Sequence, residues 1–190
     1  MRTPAALAAV LLATTAKAQD LSQLLKAGPV VSVTVNQKGR FQAATAVIEV
    51  ARPPAAVWAI ATDFAQYTKF MPKVEESKVV RKGPNQLQVT MELDVPGPDP
   101  EYTYRYDLHP ATFTMSGRWI GGDLKDSYVE WRIEPLGKAG SLLYYTTSSL
   151  HFSSILQALE DSQQTITVGV NVAAALAVVK AIKRRAEAKP

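Results

Sequence analysis

Between residues 74 and 150 apolar and polar positions alternate in short runs, interrupted by turn residues at roughly ten-residue intervals, a spacing that predicts an antiparallel meander. The runs are 74–82, 86–95, 101–109, 112–120, 126–135 and 141–150. The breaks fall at Gly83-Pro84-Asn85, Pro96 to Pro100, His109-Pro110, Gly121-Gly122-Asp123 and Gly137 to Gly140. Leu87, Val89, Met91, Leu93 and Val95 oppose Gln88, Thr90, Glu92 and Asp94. Tyr102, Tyr104 and Tyr106 oppose Thr103, Arg105 and Asp107, and Val129, Trp131 and Ile133 oppose Glu130, Arg132 and Glu134. The sheet therefore has one dry and one wet face. Phe113, Met115, Gly117 and Trp119 extend the dry one. In 141–150 two phases fit equally well, since Leu142/Tyr144 and Leu143/Tyr145 both alternate.

Ala44, Ala46, Ile48 and Val50 mark an earlier strand that Pro53-Pro54 ends. Proline is tolerated in a first helical turn, and Val57, Ile60 and Ala61 then recur at helical spacing, so 54–62 reads as a short helix. Asp63 is placed to cap a second one, with Phe64, Tyr67 and Met71 on one face and Pro72 as its stop. Val31, Val33 and Val35 alternate ahead of a Gln37-Lys38-Gly39-Arg40 turn, giving an edge strand in an N-terminal extension, 19–40, that also has room for a short helix. At the other end Ile155, Leu159, Ile166, Val170, Ala173 and Ala177 lie near one helical stripe, which predicts a long C-terminal helix. Thr165 to Val172 also alternates and contains Gly169, so a kink or break is expected there.

Met1-Arg2, the apolar run Ala5 to Ala13 and the small-x-small triplet Ala16-Lys17-Ala18 read as an export leader of residues 1–18. Cleavage after Ala18 would leave a periplasmic or secreted chain with no later segment expected to span a bilayer. The leader takes Arg2 and Lys17 with it, so the formal charge of +4 falls to 4 − 2 = +2. Positive residues gather at the end, in Lys180, Lys183, Arg184, Arg185 and Lys189, where they suit a helix C-terminus. Lys183, Arg184 and Arg185 would also serve a transient membrane-surface contact, while export argues against a nucleic-acid partner. The absence of cysteine excludes disulfides, zinc ribbons, iron–sulfur clusters and thiol nucleophiles. With His109 and His151 as the two histidines, triad and histidine-metal chemistry have little to build on, and no metal, nucleotide or other cofactor is implied.

The order strand, two short helices, antiparallel strands, long helix resembles the START-like or SRPBCC superfamily. The stretch IEVARPPAAVWAIATDFAQYTKFMPKVEESKVV, from Ile48 to Val80, is similar to its polyketide cyclase/dehydrase and coenzyme-Q-binding branch. Val57-Trp58, Asp63 before Tyr67, and Phe70-Met71-Pro72 before Val74 carry the resemblance. It implies an α+β helix-grip domain over residues 41–188: a curved antiparallel sheet of about seven strands wrapped around the C-terminal helix, holding an apolar molecule between them. Most such proteins are carriers or binders, and some are cyclases or dehydratases.

The residues give a separate argument for a cavity. The dry face carries Met91, Tyr102, Tyr104, Tyr106, Phe113, Met115, Trp119 and Trp131 where tight sheet-on-helix packing would place branched aliphatics. Opposite them Ala173, Ala174 and Ala177 leave space. Together with Trp58, Leu93, Leu159 and Ile166, these dry-face residues are the candidate ligand contacts. The bland alternative is that the aromatics fill a core. The loops at 96–100 and 121–123 share one end of a meander and are expected to frame a mouth near Ser153, and Thr146 to Ser149 would suit polar contacts to a ligand head group. No residue is assigned as catalytic. His109, His151, Glu101 and Arg118 are weak candidates, with a cavity tyrosine as donor. The expected activity is non-covalent binding or carriage of a lipid, isoprenoid quinone, sterol or polyketide-like molecule, the alternative a cyclase or dehydratase acting on a polyketide-like substrate. An enzyme would bring one of those candidates into the cavity, whereas a carrier would show apolar walls and a polar rim.

Overall fold

The computed structural model describes residues 21–95, 99–148 and 164–188. Its elements are α1 (residues 21–27), β1 (Val30–Val35), β2 (Phe41–Val50), α2 (Pro54–Ala61), a 3₁₀ helix (Phe64–Lys69), β3 (Val74–Lys82), β4 (Gln86–Leu93), β5 (Glu101–His109), β6 (Thr114–Gly122), β7 (Tyr128–Leu136), β8 (Gly140–Ser148) and α3 (Gln164–Glu187). The strands form one antiparallel sheet in the order β1-β2-β8-β7-β6-β5-β4-β3. Its β3-to-β8 part is the expected meander, and β2 returns from the start of the chain to pair with β8, setting Ile48 opposite Leu143. This is the helix-grip architecture, with β1 as an added edge strand.

Pro54 begins α2 because its missing N–H would have no helical partner there in any case. The second helix differs from expectation. It is a 3₁₀ helix, and the Asp63 side chain makes no capping bond. The few residues between Thr62 and Pro72 favour the tighter i→i+3 turn. The β5–β6 turn also runs longer than its sequence suggested, with Phe113 at φ 50°. That displaces β6 by two residues, so Gly121 and Gly122 pair with Thr103 and Tyr102 rather than forming a break. In β8 the ambiguous phase resolves with Ser141, Leu143, Tyr145 and Thr147 buried.

Helix α3 runs unbroken through Gly169, which corrects the expected break. By length and mean hydropathy, 1.9 over its best stretch, Thr165–Glu187 could cross a membrane, contrary to the sequence expectation, and 33% of that stretch is buried within the fold. Ala175, Val179, Ala181, Ile182 and Ala186 form the buried stripe. They pack chiefly on β2 and β8, with α2 alongside.

The C-terminal end of α3 is tied to the turn after β2. Lys183 Nζ donates to the Glu49 carbonyl at 2.8 Å and to Glu187 Oε1 at 2.7 Å. The Ala51 N–H donates to the same carboxylate at 2.7 Å, and Arg52 Nε donates to the Ala186 carbonyl at 2.9 Å. Ser141 Oγ closes the clasp onto the Arg52 carbonyl at 2.6 Å. Lys183 is therefore engaged inside the fold, while Arg184 and Arg185 stay exposed.

Two stability predictions follow from these contacts. Partial burial raises the Glu187 carboxyl, but the bonds from the Ala51 N–H and Lys183 outweigh that and hold it below its usual value. Charge-assisted bonds contribute about 1.5–3 kcal/mol, so Glu187→Ala lowers the melting temperature by roughly 4–8 °C at neutral pH. Because the folded pKa is depressed, that contribution is present above the ordinary carboxylate range and lost as pH falls through the folded value. The gap between wild type and variant therefore closes below about pH 4 in thermal melts. Gly122 has φ +81°, and a Cβ there would lie 2.2 Å from the Glu101 carbonyl oxygen, whereas a Cβ on Gly121 meets nothing within 4 Å. Gly122→Ala is expected to cost at least ~2 kcal/mol, or roughly 4–8 °C in melting temperature, and Gly121→Ala under about 2 °C.

Candidate functional site: a cavity between sheet and helix

Because α3 rides on β1, β2 and β8, the strands farther across the sheet stand away from it. The gap is a cavity of about 310 Å³. Strands β4 and β5 supply Met91, Leu93, Tyr102, Tyr104 and Tyr106, while β7 and β8 supply Val129, Trp131 and Tyr145. The helix contributes Val170, Ala173, Ala174, Ala177 and Val178, whose small or short side chains leave the space open. Tyr67, Met71 and Val74 close one side, and Pro72, Lys73, Val95 and Leu124 lie around it. Pro72, Lys73 and Ala173 are the exposed lining residues, which places the mouth between the start of β3 and the helix.

The mouth is braced. The Asp94 N–H donates to the Lys73 carbonyl at 3.0 Å, and Lys73 Nζ meets Asp94 Oδ2 at 2.9 Å. Lys73 adopts φ 65°, an uncommon conformation for a residue with a side chain. On the neighbouring loop the Asp123 N–H donates to the Glu101 carbonyl at 2.8 Å while the Asp123 carboxylate accepts from the Glu101 N–H at 2.9 Å. The ends of β4, β5 and β6 thus converge at the mouth, where Val95 and Leu124 line it.

The inner wall is apolar except for hydroxyls. Tyr67 donates to the Ala61 carbonyl at 2.5 Å, Tyr102 to Met91 Sδ at 3.6 Å, and Tyr104 shares a hydrogen bond with Ser127. Trp131 packs against Tyr145 with ring centroids 4.5 Å apart and planes tilted by 56°, and its Nε1 is buried with no hydrogen-bond partner. Burial disfavours phenolate and raises all the cavity tyrosines: Tyr67, Tyr102 and Tyr106 well above the usual value, Tyr145 likewise upward, and Tyr104 to about 12, its bond to Ser127 pulling the other way.

Met91, Leu93, Tyr102, Tyr104, Tyr106 and Trp131 line the cavity, as do Ala173, Ala174 and Ala177 opposite them. Trp58, Phe113, Met115, Trp119 and Ile166 do not, and Leu159 lies outside the described residues. The dry face divides along its length. Toward the β5–β6 turn, α2 covers the sheet, Trp58 meets Phe113 at 6.2 Å, and Met115 is core. Trp119 points its indole Nε1 at the Gly122 carbonyl, 3.1 Å away. Thr146 pairs with Thr45 at 2.8 Å, Thr147 and Ser148 are buried outside the cavity lining, and Ser149 lies outside the described residues.

Tyr67, Met71, Lys73, Leu124 and Tyr145 line the cavity without having been singled out for it. Tyr67 and Met71 had a signal in their shared helical face. Tyr145 was hidden by the two-phase strand and Leu124 by its place beyond a turn.

The weak catalytic candidates among the described residues fall outside the cavity lining. His109 is exposed at the end of β5, and Glu101 is exposed at its start. Arg118 faces solvent on β6, 3.7 Å from Glu130 and over the Tyr128 ring at 4.8 Å. His151 lies outside the described residues. Glu75, Glu92 and Asp99 bring carboxylate oxygens within 4.8 Å of one another, also outside the cavity lining.

The raised tyrosine values give an alkaline prediction. A tyrosine whose folded pKa exceeds the unfolded value near ~10 contributes stability that is complete below that pH and lost as pH rises through the folded value. In ultraviolet difference titration the cavity tyrosines should stay protonated at about pH 11 and ionise together with unfolding. Smooth ionisation of all tyrosines near ~10 in the folded protein would contradict their burial.

Among solved structures the fold resembles the Zhui aromatase/cyclase of Streptomyces sp. R1128, at 21% identity and TM-score 0.66 over 77% of this chain and 93% of that one. It also resembles a START superfamily protein of Mycobacterium smegmatis, at 17% identity and TM-score 0.60 over 77% and 97%. A third likeness is to norcoclaurine synthase of Thalictrum flavum, solved with dopamine and hydroxybenzaldehyde, at 20% identity and TM-score 0.54 over 88% and 93%. No curated protein matches the chain. Residues 50–188 match the family described as polyketide cyclase / dehydrase and lipid transport, and the chain belongs to that family, within the START-like superfamily.

Proposed function

We propose that the protein is an exported carrier that binds one hydrophobic small molecule between its sheet and α3 and releases it unchanged. The observation that carries this reading is the cavity of about 310 Å³, lined mainly by aliphatic and aromatic side chains, with none of His109, Glu101 and Arg118 in its lining. Its size suits a small single-ring to few-ring compound or a short isoprenoid, at the low end of the ~300–1,000 Å³ range of ligand pockets. Export rests on the leader of residues 1–18. Loading from an anionic membrane surface would fall to Arg184 and Arg185, since Lys183 is held by Glu49 and Glu187.

A cyclase or dehydratase on a polyketide-like substrate is the second reading. The feature in its favour is the group of tyrosine hydroxyls on one wall, which are donors placed where a substrate carbonyl would develop negative charge. It lacks a base near neutrality: burial holds these tyrosines protonated.

The test is native mass spectrometry of protein purified from its own cell envelope, followed by solvent extraction of the bound compound. Wild type and His109→Ala should retain one apolar molecule. Ala177→Phe, which fills the cavity from the helix, and Trp131→Ala, which breaks its wall, should lose at least about tenfold of it. Equal retention by all four proteins would place the cargo elsewhere, and release of a molecule chemically altered from the one loaded would favour the enzyme.

A further inference from the structure

The two edges of the sheet are built differently. Among the described residues β1 and β3 each have a neighbouring strand on one side only. An edge strand offers a row of backbone N–H and C=O groups to any other strand, and proteins blunt such edges with charges, prolines or bulges. The β3 edge is blunted in two of these ways. It carries Glu75, Glu76, Lys78, Arg81 and Lys82, and where its pairing with β4 slips the extra residues, Glu75 and Val80, are its own. The β1 edge has none of these devices. Val30–Val35 reads VVSVTV, without a charge or a proline. The one slip beside it, where Thr34 pairs with Ala43 and Val35 with Phe41, puts the extra residue, Gln42, in β2 and leaves β1 regular.

The apolar side chains of this edge are uncovered as well. Val31 and Val33 lie opposite Ala46 and Ala44, and α3 reaches β1, yet Val33 is 39% and Val35 55% exposed. With Leu24 on α1 they make three of the seven large apolar side chains left exposed among the described residues. Such a concentration in one short stretch marks a contact surface rather than scattered surface residues. The stretch lies outside residues 50–188, so the family match does not account for it.

The alternation of β1 is complementary to itself. Residues directly opposite one another in an antiparallel pair share a face. When two copies meet about a two-fold axis at Val33, Val33 faces its copy, Val31 faces Val35 and Ser32 faces Thr34. Every such pair is apolar with apolar or hydroxyl with hydroxyl, and no like charges meet across the axis. Centring the axis on Ser32 would instead set Val30 against Thr34. We infer that β1 is the surface through which two copies of this chain pair, edge to edge about Val33, into one continuous antiparallel sheet. Both cavity mouths stay open in that dimer, because each lies by the start of β3, at the opposite edge of its sheet. A six-residue strand spans only about 20 Å, so the contact is at the small end of specific interfaces and dissociation is expected in the micromolar range.

Sedimentation velocity of the purified protein between about 1 and 200 µM should show a monomer–dimer equilibrium. Val33→Lys sets two ammonium groups against each other across the axis and should weaken the dimer at least about tenfold, while Val79→Lys on the β3 edge should leave it unchanged. The chain has no cysteine, so Val33→Cys supplies a single thiol that lies opposite its own copy, about 4.5–5.5 Å away between Cβ atoms. Mild oxidation should then link that variant into a covalent dimer and leave Val79→Cys monomeric on a denaturing gel, a readout that holds if Val33→Lys does not fold. A monomer at every concentration would overturn the inference. So would a dimer that Val33→Lys does not weaken and Val33→Cys does not link, since its interface would lie elsewhere. Cargo retention is expected to be the same in wild type and Val33→Lys, so the pairing and the carrier reading stand or fall separately.

Discussion

The structure depends on where α3 is pinned. Its last turns are held by Lys183, Glu187 and the Arg52-to-Ala186 bond against the turn that leaves β2, and its buried stripe of Ala175, Val179 and Ile182 sits on β2 and β8. Those two strands lie toward one side of the eight-stranded sheet. A helix fixed there cannot also touch β4 and β5, because the twist of an antiparallel sheet carries strands away from a straight rod laid on its neighbours. The cavity is the consequence of that geometry. The alanines at 173, 174 and 177 keep the helix from refilling it.

From this the chemistry of the wall follows. Strands that must face a gap cannot rely on a partner surface to order their side chains, and the residues here are large, stiff and mutually supporting. Tyr102, Tyr104 and Tyr106 contact one another in series at 5.0 and 5.9 Å, and Tyr106 in turn meets Phe64 at 4.4 Å. Aromatic rings have few rotatable bonds and stay placed at a small entropic cost, which suits a preformed site. Gly117 belongs to the same arrangement, since a Cβ there would stand 2.6 Å from the Tyr106 ring. The wall is dry yet carries donors, and burial keeps the tyrosines protonated.

Most of the strand order was legible because half-buried antiparallel strands alternate, and the runs from 74 to 150 do so almost throughout. What escaped was decided by contacts distant in sequence. Helical spacing of Phe64, Tyr67 and Met71 says which side is buried, but i→i+3 and i→i+4 turns share it, so the 3₁₀ form was invisible. Gly121 and Gly122 looked like a turn, yet at Gly122 the strand needs a residue without a Cβ where β6 crosses the Glu101 carbonyl. The phase of β8 was fixed by pairing with β2 and β7, information no local window holds. The division of the dry face is the same kind of fact. Met115 and Tyr104 follow one alternation rule, but the first is packed in the core outside the cavity lining and the gap faces the second.

An open cavity of this size is also a statement about energy. At about 24 cal/mol per Å³, the rate found for dry engineered cavities, a void of 310 Å³ would forgo ~7 kcal/mol, comparable to the whole stability of many domains. The mouth at Pro72, Lys73 and Ala173 reduces that loss by admitting water, but an apolar wall gives water few partners. The empty state must then be held chiefly by parts of the molecule away from the mouth: the α3 clasp, the α2 side of the core and the β2–β8 pairing. A molecule entering between α3 and β3 therefore adds contacts without disturbing what holds the fold. Site and scaffold are separated along the length of one sheet, which lets the wall residues vary with the ligand while the helix stays where it is.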